Sequence, residues 1–302
     1  MLLSPFNRRP TFMKPFLLAL AVLGLGAASS VFPQKSKGVS NAPVVPLLTR
    51  TVLRNEVTRF NYGGTVTVVG APQGSITIQG WSRNEVQVTA EIELHAETEA
   101  DLARLATVNG FALDADANHL SLLTTGTHDK SYMRRVGKGF PKKLLGLPWK
   151  IDYRLNVPVS TDLEINGGVG SITLNGVEGS IVVTAPQTNA TLTLTGGTVN
   201  ATVATGTVNV QIPVRSWRGS GANIQVASGD LNVELPVGFN GDIDADILRL
   251  GRIENSYPGL EARERGGLTE RMIRARAGPG GAFLKFTVGT GTIHIKKARI
   301  EQ

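Results

Sequence analysis

Asp242, Asp244 and Asp246 alternate with Ile243, Ala245 and Ile247, so an extended chain sets three carboxylates on one outer face. Such a row can hold a calcium ion, contact a glycan, or divide acid and base roles in cleaving a polysaccharide. It can equally be a charged face that keeps a strand from pairing sideways. The G-x-S-x-G, S-x-x-K and P-loop motifs and the calcium nonapeptide are absent, and His95, His119, His128 and His294 are too dispersed for a metal site. No catalytic residue, cofactor or metal is assigned from these patterns. A second candidate lies in residues 126–150. There Lys130, Arg134, Arg135, Lys138, Lys142 and Lys143 face one nearby acid, Asp129, and share the stretch with Leu144, Leu145, Leu147 and Trp149. Cations beside large apolar groups settle on anionic lipid or an acidic envelope polymer, each charge contributing ~1 kcal/mol near such a surface. A solvated insertion has the same composition. Trp81, Trp149 and Trp217 offer either stacking surfaces for sugars or covers for apolar edges.

The elements that must position these residues are strands. A five-residue cassette recurs ten times: a small residue, then Ser, Thr, Asp or Asn, then an apolar, a polar and another apolar residue. Gly64-Thr-Val-Thr-Val68, Gly170-Ser-Ile-Thr-Leu174, Gly206-Thr-Val-Asn-Val210 and Gly291-Thr-Ile-His-Ile295 are examples. Period-two alternation with β-branched residues predicts strands with one buried face, and the glycines supply turns. Cassette starts at 170, 179, 190, 197 and 206 suggest coils of 16–20 residues with two strands each. The fold expected is therefore all-β, a β-solenoid resembling a single-stranded β-helix with one short helix. An antiparallel β-meander or sandwich is the alternative. Leu102, Leu105, Ala106 and Val108, preceded by Glu97, Glu99 and Asp101, predict that helix over residues 97–109. Residues 126–150 read as a basic loop, and residues 257–281 as a second, arginine-rich break.

Composition bounds the rest. The chain has 302 residues, 41% of them hydrophobic, enough for a sizeable core. Its 35 glycines exceed the typical ~7% share and suit many short strands. Zero cysteines exclude disulfide scaffolds, thiolate metal sites and a cysteine nucleophile. Residues 1–28 combine Arg8, Arg9 and Lys14 with an apolar run from Phe16 to Ala28, the pattern of a secretory signal peptide. Residues 29–56 read as a flexible linker and 57–302 as the folded domain. Export to the periplasm, cell surface or medium of a bacterium follows, with no transmembrane helix after the leader. Outside the leader the charge excess is +4, a weak footing for a nucleic-acid partner.

The cassettes, the helix, Tyr153-Arg-Leu-Asn-Val-Pro158, the run Leu163-Glu-Ile-Asn-Gly-Gly-Val-Gly-Ser-Ile-Thr-Leu174 and Ser228-Gly-Asp-Leu-Asn-Val-Glu-Leu-Pro236 together resemble a bacterial adhesin family also called domain of unknown function 4097. The resemblance covers about residues 57–298. It implies an exported, solenoid-like, non-enzymatic module and brings no catalytic residues. The function read from the sequence is an adhesion or envelope-scaffold module contacting polymers, glycans, lipid surfaces or other surface components. The rival is a polysaccharide lyase or hydrolase working from the Asp242, Asp244 and Asp246 face. An arginine or lysine over that face, in a groove, is what a lyase requires.

Overall fold

The computed structural model describes residues 46–70 and 72–298. In chain order the elements are β1 (Leu48–Arg59), β2 (Thr65–Val69), β3 (Ile76–Trp81), β4 (Glu85–Ala96), α1 (Glu99–Val108), β5 (Gly110–Ala115), β6 (His119–Thr125), α2 (Lys130–Val136), a 3-10 turn (Lys142–Leu144), β7 (Trp149–Pro158), β8 (Asp162–Asn166) and β9 (Val169–Asn175). The chain continues with β10 (Ser180–Thr193), β11 (Gly196–Thr205), β12 (Val208–Gln211), β13 (Arg218–Ser228), β14 (Leu231–Leu235), β15 (Gly241–Asn255), β16 (Leu260–Ala262), β17 (Met272–Ala277) and β18 (Ala282–Lys297).

Alternation decides which side chains go inside. Both aliphatic positions of every cassette, from Val66 and Val68 to Ile293 and Ile295, are buried in one continuous core. The cassette strands lie parallel and in phase. Leu163, Ile181, Val199, Ala222 and Leu284 line up across one side, and Leu174, Leu192, Val210, Val233 and Ile295 across another. Each row stacks aliphatic groups at the ~4.8 Å spacing of neighbouring strands, so burial accumulates strand by strand.

The all-β class holds, with two α-helices, but the expected β-solenoid is corrected. Following the pairings from β10 to β11, β13, β18, β14, β12 and back to β10 closes a ring, every step parallel: a closed six-stranded parallel β-barrel with further strands around it. The physical reason lies in two long strands. The first half of β10 pairs with β11 and its end, Ala190–Thr193, with β12. In the same way β18 serves β13 with its first half and β14 with its second. Where the spacing suggested a join between separate strands, the backbone continues. Nor do the cassettes form a meander or sandwich. Among the described residues, named antiparallel pairs are β1 with β4, β4 with β7, β5 with β6, and β17 with β15 and β16.

Other boundaries shift too. β1 begins at Leu48, inside the stretch read as linker. Residues 1–28, the expected signal peptide, and the first part of that linker lie outside the described residues. The helix forms as α1, where Thr98 caps the start by accepting from the Asp101 amide and Leu102, Leu105 and Val108 turn inward. The basic stretch is not wholly loop, for it carries α2 and the 3-10 turn. The arginine-rich break contributes β16 and β17. No helix among the described residues is long and apolar enough to cross a membrane.

Corners are closed by glycine. Gly206 and Gly229 adopt φ of 138° and 133°, where residues with a Cβ are strained. A Cβ on Gly206 would stand 1.8 Å from the Thr188 carbonyl oxygen, and one on Gly229 1.9 Å from that of Gly206. Short acceptors reinforce the next position of the cassette. Asp162 accepts from the Ser180 amide at 2.6 Å, Asn189 from that of Thr207 at 3.1 Å, and Asp230 from that of Thr292 at 2.9 Å. Asp230 thus belongs to a corner.

Candidate functional site

β15 places Asp242, Asp244 and Asp246 on one outer face, as the alternation requires. What the sequence reading missed is the strand beside them. β17 runs antiparallel to β15 and sets Arg276 opposite Asp242 and Arg274 opposite Asp244. Arg276 Nε donates to Asp242 Oδ1 at 2.8 Å, and Arg274 Nη2 to Asp246 Oδ1 at 2.7 Å. Arg274 Nε lies 3.5 Å from Asp244 Oδ2. Arg263, from the connection between β16 and β17, hydrogen-bonds Asp244 and reaches within 4.0 Å of Asp242. The Arg276 hydrogen bond holds the Asp242 carboxyl below its ordinary range. A guanidinium therefore sits over the aspartate face, but as a matched partner for each carboxylate. Such a lattice does structural work and presents no free acid and base pair. The Arg-x-Arg step at 274 and 276 has the same period as Asp-x-Asp-x-Asp, which is the signal that could have joined them.

The basic stretch is arranged differently. Asp129 caps α2, its Oδ1 accepting from the Ser131 and Tyr132 amides at 2.8 and 3.0 Å. These backbone bonds, that to Tyr132 first, lower its pKa and keep it ionised. Arg134 and Arg135 then fall in the last turn, where cations suit the helix dipole. Arg134 donates to Ser131 Oγ at 3.1 Å, and Arg135 lies 5.9 Å from the Tyr132 ring centre. Lys143 leaves the group: its Nζ bonds Asp101 Oδ2 at 2.8 Å, and this bond depresses the pKa of that carboxyl. No ion pair forms at Lys130, Arg134, Arg135, Lys138 or Lys142 among the described residues, and all five side chains are exposed.

Apolar groups adjoin these cations. Val136 and Leu145 are 44% and 41% exposed, while Leu144 beneath is buried. A groove of about 270 Å³ runs beside Leu145, Leu147, Pro148, Trp149, Val169 and His128. Burial lowers the His128 pKa despite the neighbouring Asp129, favouring the neutral ring that packs against Trp149 at 5.4 Å.

The tryptophans are mostly occupied by the fold. Trp149 and Trp217 are buried, and the Trp217 indole N–H donates to the Gly197 carbonyl at 3.0 Å. Trp81 is half-buried and donates to the Glu85 carbonyl. The histidines stay apart, with His95 on Glu93, His119 near Asp116 and His294 on Glu254. Among the described residues no cluster of three His, Cys, Asp or Glu side chains could hold a metal ion.

No family model matches the chain, that of domain of unknown function 4097 included, and no curated protein sequence matches it. Several solved structures are similar, three of them as follows. One is a "putative cell adhesion protein" from Clostridium sporogenes, at 12% identity over 82% of this chain and 100% of that one, with a TM-score of 0.42. A "putative adhesin" from Bacteroides fragilis has 11% identity over 82% and 97% of the two chains and a TM-score of 0.29. The third, a "putative lipid binding protein" from Parabacteroides distasonis, has 10% identity over 82% and 97%, with a TM-score of 0.26. At such identities and scores the names of those proteins transfer nothing to this chain.

Proposed function

We propose that this is a non-enzymatic binding module, exported through its leader, that meets a phosphate-bearing anionic surface of the cell envelope through Lys130, Arg134, Arg135, Lys138 and Lys142. The observation that carries this reading is the contrast in pairing. These five cations stand exposed and form no ion pair among the described residues, beside exposed Val136 and Leu145, whereas the arginines at 263, 274 and 276 are all matched. Cations supply long-range attraction and the apolar groups a shallow anchor. The lyase or hydrolase alternative loses its support because the carboxylates it needs are hydrogen-bonded to guanidinium groups.

Titration of the protein with vesicles of phosphatidylglycerol and phosphatidylcholine, and separately with soluble polyphosphate, tests the proposal. Binding at low salt that fades as ionic strength rises supports it, and the better ligand separates a lipid from a polymer source. Absence of binding to both at every salt concentration overturns it.

A further inference from the structure

β1 is 12 residues long and pairs with β4 along one edge only. No backbone hydrogen bond reaches its other edge from any described residue. Open edges of this length are normally blunted by proline, lysine, a bulge or a covering element. β1 has no proline or lysine and its pairing with β4 is unbroken by a bulge. Its charges, Arg50, Arg54, Glu56 and Arg59, are of both signs and so can pair across the edge, and its outer face carries Leu53 and Val57 at 67% and 54% exposure.

We propose that this edge pairs with the same edge of a second copy of the chain, antiparallel about a two-fold axis through Leu53. Charge and paired length together select the register. An axis through Asn55 would also set Arg54 against the partner's Glu56, but it pairs only residues 51–59 of β1, whereas an axis through Leu53 pairs residues 48–58. With Leu53 opposite the partner's Leu53, Arg50 stands opposite the partner's Glu56, and Thr51 opposite the partner's Asn55. Symmetry repeats the Arg–Glu match on the other side of the axis, and opposite charges facing each other across strands are favourable. Moving the axis to Val52 sets Arg50 against the partner's Arg54, and moving it to Arg54 sets that residue against itself. Both alternatives keep the inner faces on one side of the joined sheet, and both oppose like charges. Within the monomer Arg50 is held by Glu99 at 2.8 Å and Glu56 by Arg54 at 3.3 Å, exposed contacts that can be shared or exchanged. The apolar side chains gain as well, since Leu53 comes to lie against its own copy.

The lack of cysteine makes the register testable. Directly opposite antiparallel residues have Cα atoms about 4.5–5.5 Å apart, within disulfide reach. In the full chain, Leu53→Cys should form a reducible dimer under mild oxidation. Thr51→Cys and Asn55→Cys should do so only when the two variants are mixed. Arg50→Glu should weaken the dimer roughly tenfold or more in sedimentation equilibrium, and Glu56→Arg added to it should restore the affinity. Three outcomes overturn the proposal: a monomer without cross-links at roughly 100 μM, efficient cross-linking of Thr51→Cys with itself, or dimerisation only after removal of residues 1–45. The last would assign the edge to the chain's own N-terminal segment.

Discussion

Residues 130–142 and residues 263–276 are both rich in cations, yet the molecule treats most of them in opposite ways, Arg265 being the exception in the second stretch, exposed and in no ion pair among the described residues. Arg263, Arg274 and Arg276 lie against a strand whose carboxylates share their period. Arg271, between them, donates to the Ile247 and Arg249 carbonyls at 3.3 and 2.7 Å. In α2 and the turn that follows, only Lys143 finds a carboxylate among the described residues, and that one belongs to α1. Whether a cation is available to a partner is therefore decided by the neighbouring strand, and local charge density says little about it. A run of basic residues that looks functional can be a clasp, and the reverse.

The contrast can be broken or sharpened in four ways. The largest effect is expected from replacing Lys130, Arg134, Arg135, Lys138 and Lys142 together with Gln. At ~1 kcal/mol per charge, vesicle binding should weaken roughly several thousandfold, while Arg276→Gln leaves it within about threefold. Equal losses in vesicle titrations would erase the distinction. Next comes stability. Asp244→Ala leaves Arg263 and Arg274 without their shared acceptor and should cost about 1–3 kcal/mol, lowering Tm by about 2–4 °C for each of these. Lys138→Ala should leave the calorimetric Tm nearly unchanged.

A smaller effect concerns acid. Because Arg276 lowers the folded pKa of Asp242, the associated stabilisation is full above the ordinary value of 3.8 and is lost as pH falls through the folded value. Urea titrations at a series of pH values should then show a constant stability gap between the wild type and Asp242→Asn above about pH 5, narrowing below about pH 4. A gap that stays constant in acid would mean the pairing does not hold the carboxylate. Smallest of all is Lys143→Gln, expected to alter vesicle binding by no more than about twofold, since its ammonium is already engaged by Asp101. A loss comparable to that of Arg134→Gln would return Lys143 to the docking group.

Much of the fold was legible because the cassette reports facing. Ile172 and Leu174 are buried and Thr173 is not, as the alternation requires, and the same holds through Ile293, His294 and Ile295. Closure was not legible. Cassette starts at 179 and 190 suggest two separate strands, yet β10 runs through the residues between them and serves two neighbours. Local pattern encodes which way a side chain points, but not which strand will lie beside it. For the same reason the Asp242 row was visible and its arginine partners were not, since about thirty residues of chain separate them. The five cations were found by composition, but Lys143 could be told from them only by its distance to Asp101.

The close approach at Gly206 and Gly229 bears on how such a chain could be recognised after long divergence. Buried aliphatic positions can trade Val, Ile and Leu at modest cost, and outward positions tolerate almost any polar residue. At the two corners a single methyl group meets a carbonyl oxygen of the adjoining strand, and no rearrangement of side chains can relieve a clash between backbones. Under sequence drift the cassettes would blur first, leaving those glycines, at their spacing, as the last readable trace of a common ancestor.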